Sequence, residues 1–190
     1  MSQNANAQQA RTVTTVDRGK LDLKALTLYA ILLAAGFVLN MTVSKFFSGL
    51  TGGILSPEFI IAAFCLETLI IRPKVGQAAV LGLLAGVVIQ ITASVKGPDL
   101  IAEPVAAVVM ALLASALGNG GAKKVLPLVG TFVVTCISGL IYAVIFACFV
   151  QRNPQLIAVM APVVAMTGAF NAVIVQALYI PIKKALKLNY

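Results

Sequence analysis

Long apolar runs, each close to the length a helix needs to cross a bilayer, recur along this chain and are cut apart by short clusters of breakers. The breakers are Arg72-Pro73-Lys74, Lys96-Gly97-Pro98-Asp99, Gly118-Asn119-Gly120-Gly121 and Gln151-Arg152-Asn153-Pro154. A water-soluble domain of 190 residues would need more polar surface than this one, which is 60% hydrophobic and 11% charged, with a mean hydropathy of +1.00. The pattern predicts an all-α membrane protein of six transmembrane helices. Their expected spans are about 25–45, 54–71, 75–95, 100–117, 125–150 and 155–182. The last is the longest and must tilt or kink, with Pro162 near its start and Pro181 near its end.

The net charge of +8 does not point to nucleic acid, because the basic residues mark loops. With the N-terminus on the cytoplasmic side, eleven Lys and Arg residues fall inside, against Lys45, Lys96 and Arg152 outside. Both termini are therefore expected in the cytoplasm. Residues 1–24 are polar, carry no apolar core of a cleaved signal peptide, and are expected as a solvated, disordered cytoplasmic tail. The six-helix domain is expected over 25–190. The chain has no histidine, which excludes histidine general bases, proton relays and metal ligands. Cys65, Cys136 and Cys148 lie in apolar runs, and the last two are ~18 Å apart along one helix, so buried free thiols are expected.

Small residues at four-residue spacing allow helices to approach closely. Ala30-xxx-Ala34 has this pattern in the first helix, Ala78, Gly82 and Gly86 in the third, and Ala161, Ala165 and Ala169 in the last. Polar residues inside a bilayer are costly and are placed for a reason. Thr131, Thr135, Ser138 and Tyr142 fall on one stripe of the fifth helix, while Thr167 and Asn171 share a face of the sixth. Gln90, Thr92 and Ser94 belong to the outer part of the third helix.

Pro57 is expected in the first turn of the second helix, and Glu58 follows at the positive end of its dipole. Glu58 is then either a substrate group or an N-terminal cap. Glu103 occupies the first turn of the fourth helix, also on the outer side. These positions predict an outward-open pocket. Its candidate ligand residues are Glu58, Gln90, Thr92, Glu103, Ser138, Tyr142, Thr167 and Asn171. Glu67, about half a turn away from Glu58 around the helix, is expected to pair with Arg72 or Lys74.

No nucleophile–base pair through histidine, no carboxylate cluster with metal-ligand spacing and no phosphate-binding loop is present. No enzymatic activity and no cofactor are expected, and duplicated transporter halves are not evident. The chain resembles a substrate-binding S component of an energy-coupling factor (ECF) transporter, over essentially all of residues 24–188. The likeness rests on six helices with both termini inside, Ala30-xxx-Ala34, a long outer loop leading to Ser56-Pro57-Glu58-Phe59, the Arg72-Pro73-Lys74 link and the last helix with Asn171. The second to fourth helices look most like the tryptophan-type S components.

The resemblance implies a subunit of the bacterial-type plasma membrane that captures a vitamin, a vitamin precursor or tryptophan from outside. It also implies a transmembrane coupling subunit and two ATPase subunits as partners, with Ala30 and Ala34 on the coupling face. Inward release would follow from tumbling in the membrane. Two alternatives stay open: a stand-alone small permease or channel, and a membrane-embedded enzyme using Glu58 and Glu103.

Overall fold

The computed structural model describes residues 21–52, 57–118 and 124–186. Helices account for nearly all of them, in the order α1 (Leu23–Leu39), α2 (Lys45–Leu50), α3 (Phe59–Ile71), α4 (Val75–Gln90), α5 (Asp99–Leu117), α6 (Leu126–Ile145) and α7 (Leu156–Ala185). No strand occurs among the described residues. Four rods are long and apolar enough to cross a membrane: Leu23–Leu50, Asp99–Leu117, Leu126–Val150 and Leu156–Ala185. Helices α3 and α4 are apolar but shorter. Large side chains such as Ile31, Val80, Phe149 and Val173 stand on the outside of the bundle, a surface suited to lipid.

The first rod begins where the Asp22 carboxylate accepts a hydrogen bond from the Ala25 N–H at 2.8 Å, filling one of the orphan donors of a helix start. It does not stop at residue 45. A π turn at Asn40–Ser44 joins α1 to α2, and the rod continues to Leu50. Such a turn inserts one extra residue and re-aims the side chains within it. Leu21 already packs on the core, so the ordered domain starts earlier than residue 25. The rest of the expected tail, residues 1–20, lies outside the described residues.

Helix α3 is the post around which the others stand. Every residue from Phe59 to Ile71 is buried, and the helix contacts α1, α4, α5, α6 and α7. A helix apolar all round has no solvated face to offer, so it belongs at the centre. Its 13 residues span only ~20 Å, because the start expected at residue 54 is displaced. Pro57 lies ahead of the first turn, and Glu58 is the N-cap residue without capping through its side chain. Glu67 is 0% exposed, and neither carboxylate oxygen has a hydrogen-bond partner among the described residues. No hydrogen bond joins it to Arg72 or Lys74, its expected partners. Arg72 takes a left-handed C-cap conformation and donates instead to the Gly118 carbonyl.

The stripe Ala78, Gly82 and Gly86 is buried against α5, as its spacing predicts. A Cβ on Gly82 would stand 2.5 Å from the Glu103 carbonyl oxygen, and one on Gly86 2.7 Å from that of Asp99. Two hydrogen atoms thus allow the start of α5 to lie against the end of α4. Helix α4 ends at Gln90 rather than near residue 95, so Thr92 and Ser94 belong to the connection and not to the helix. In α7 the small residues behave differently: Ala165 and Ala169 face outward. Ala30 and Ala34 of α1 also face outward, away from the bundle interior. Helix α7 runs for 30 residues, ~45 Å, with both prolines inside it and Lys183 and Lys184 at its negative end.

Candidate ligand cavity

The end of the first rod, the start of α3, the end of α4, the start of α5, the second half of α6 and the first half of α7 meet at one end of the bundle. Between them lies a cavity of about 500 Å³. This size suits a small organic molecule. Its wall is part apolar, with Ile61, Ile89, Val163 and Val164, and part polar, with hydroxyls, an amide, Lys45 and three carboxylates.

Six of the eight candidate residues border it: Glu58, Thr92, Glu103, Ser138, Tyr142 and Thr167. Glu103 reaches the cavity from the first turns of α5, and α6 supplies its neighbour from the polar stripe. The Ser138 hydroxyl donates to Glu103 Oε1 at 2.7 Å, while Oε2 has no partner among the described residues. Tyr142, one helical turn further along α6, is half-buried and stacks on Phe146 with ring centroids 6.0 Å apart. The Thr92 hydroxyl bonds back to the Ile89 carbonyl at 3.4 Å.

Asn171 and Gln90 are not in the lining. Asn171 is 0% exposed, and its amide is engaged by the chain entering α3. Its Oδ1 accepts from the Glu58 N–H and its Nδ2 donates to the Glu58 carbonyl, both at 3.1 Å, with a longer 3.4 Å bond to Thr135 Oγ1. A single side chain therefore pairs both backbone groups of one residue, as a neighbouring strand would. Gln90 performs a similar service for the α4–α5 connection. Its Oε1 accepts from the Gly97 N–H at 2.8 Å, and its Nε2 lies 3.4 Å from Asp99 Oδ2. Both amides hold other residues in place, Asn171 fully buried and Gln90 half-buried, and neither borders the cavity.

Several lining residues were not among the candidates. Asn40, in the π turn, donates through Nδ2 to Glu58 Oε2 at 3.0 Å and accepts through Oδ1 from the Phe59 N–H at 2.8 Å. Glu58 is thus held by Asn171 at its backbone and by Asn40 at its carboxylate. The signal for Asn40 was in the sequence, as an amide inside an apolar run, the same reasoning that drew attention to Asn171. Asp99 reads from sequence as part of a turn, yet it is buried at the first position of α5 and borders the cavity. Ser44, Lys45 and Ser48 follow Asn40 along the re-aimed end of the first rod. Among the described residues, no group of three or more acids and thiols is close enough to hold a metal ion.

Comparison with known proteins adds no relative: no family model matches the chain, and neither a curated protein nor a solved structure matches it.

Proposed function

We propose that this chain is the substrate-capturing membrane subunit of an ECF-type importer, taking a small nutrient (a vitamin, its precursor or tryptophan) from outside the cell. In this reading six helices cross the plasma membrane of a bacterial-type cell, with both termini in the cytoplasm. The short α3 crosses because the other helices sheathe it, so its own length need not match the bilayer. The cavity end faces outward, as the distribution of Lys and Arg residues implies.

The observation that carries the reading is a cavity open at one end of a bundle whose centre, α3, is packed solid. Such a shape captures a molecule but offers it no route through. Energy and passage then come from a transmembrane coupling subunit and two ATPases. The outward-facing Ala30 and Ala34 of α1 support a flat contact surface for that coupling subunit. An enzymatic reading gains one observation, that Glu58 and Glu103 border the same cavity, where the Ser138 hydroxyl donates to Glu103.

The test is reconstitution. The purified chain alone should retain a small molecule detectable by mass spectrometry, and should move none across a liposome membrane. Ala34→Trp should leave that retention intact and abolish uptake by cells. Transport by the chain alone would establish a permease, and turnover of the retained molecule an enzyme.

A further inference from the structure

Three carboxylates border the cavity, and each is held by a neutral donor. Asn40 serves Glu58, Gln90 reaches Asp99, and Ser138 serves Glu103. Lys45, exposed where α2 begins, is the one basic side chain among the described lining residues. Glu103 stands apart from the other two. It is 1% exposed and borders the cavity, Ser138 occupies only one of its oxygens, and Oε2, itself buried, has no hydrogen-bond partner among the described residues. A buried carboxylate oxygen in that state is costly, and a ligand bringing a charged donor would recover the loss.

Resting on the capture reading, we infer that the cavity receives a small organic cation whose ammonium group sits on Glu103 Oε2. The acids do not converge closely enough to hold a metal ion, so the positive charge belongs to a larger molecule. Ile61, Ile89, Val163 and Val164 supply an apolar wall for its carbon body. Glu58 and Asp99 add negative potential on the same cavity wall and disfavour anions of similar shape.

The test uses the full-length chain in lipid nanodiscs. Probes carry ammonium, hydroxyl or carboxylate ends on phenylethyl, indolylethyl and hexyl scaffolds, and the readouts are thermal unfolding and equilibrium binding. An ammonium probe should raise the unfolding midpoint where its hydroxyl and carboxylate counterparts do not. Glu103→Gln should weaken that binding about tenfold or more. Ser138→Ala, which leaves the carboxylate in place but unoriented, should weaken it less. Glu67→Gln, a buried acid away from the cavity, should leave it unchanged.

Equal binding of hydroxyl or carboxylate probes overturns the inference while the capture reading stands. So does unchanged ammonium binding by Glu103→Gln, or by Ser138→Ala if the first variant does not fold. Failure of every ammonium probe also overturns it. The capture reading falls separately, if the purified chain retains no small molecule at all.

Discussion

Glu103 and Glu67 are both buried carboxylates on apolar helices, yet one borders a cavity and the other lies outside it within the packed post. Glu103 borders the cavity with Ser138 on one oxygen, while the other, itself buried, has no hydrogen-bond partner among the described residues. Neither oxygen of Glu67 has a hydrogen-bond partner among the described residues. The difference lies in what surrounds each acid. At the cavity end the helices part and polar side chains line the gap. Around the second half of α3 they close, with Ile70 and Ile71 packed against Ala25. A half-satisfied acid at a gap suits the proposed ammonium ligand, whereas one enclosed in a packed region offers no such place.

The most severe test of this contrast is to ask which end meets the outside. Ser94 lines the cavity, and Gly76 starts α4 at the other end, where an added Cβ would meet nothing within 4 Å. Ser94→Cys should react in intact cells with an impermeant thiol reagent, and Gly76→Cys should not. The reverse pattern would turn the cavity toward the cytoplasm and remove the capture reading.

A substantial effect is also expected where the cavity end is held together. Gly82→Leu forces a side chain into the Glu103 backbone and the Pro104 Cα, both within 2.7 Å of where its Cβ would stand. Overpacking of this kind should cost about 3 kcal/mol and loosen α5 from α4, which thermal unfolding in nanodiscs would register. An unchanged midpoint would mean that α5 is not fixed against α4 as described.

A smaller, paired test contrasts Asn171 with Glu67. Asn171→Ala removes the side-chain partner of both backbone groups of Glu58, leaving its carbonyl only the Ala62 N–H, and should cost about 1–3 kcal/mol. The fraction that folds should still bind an ammonium probe, because Glu103 is untouched. Glu67→Gln keeps the shape and removes no described hydrogen bond, so its effect on stability should stay under about 1 kcal/mol. A greater loss from Glu67→Gln than from Asn171→Ala would show that Glu67 has a structural role and would collapse the contrast.

Features that depend on near neighbours along the chain were legible in the amino-acid order alone. Apolar runs and their breakers placed six helical stretches, because hydrophobicity and the missing hydrogen bonds at Pro and Gly act locally. The stripe Thr131, Thr135, Ser138 and Tyr142 was legible because a helix repeats its faces regularly, and Thr131, Thr135 and Ser138 are indeed buried. The Gly82 and Gly86 contact was legible for the same reason.

What those faces meet was settled by packing in three dimensions. Asn171 had to have a partner, but the partner is the backbone of a residue 113 positions away, and no spacing rule reaches that far. Asn40 continues by helical spacing the buried face of Tyr29 and Gly36, but that this face meets Glu58 and Phe59 is decided by how the first rod packs on α3. Glu103 and Ser138 are 35 residues apart and become a pair because α5 packs against α6. Which buried acid faces a cavity and which is enclosed is a property of how the helices part or close, and that is set by packing between distant segments rather than by either acid's own neighbours in the chain.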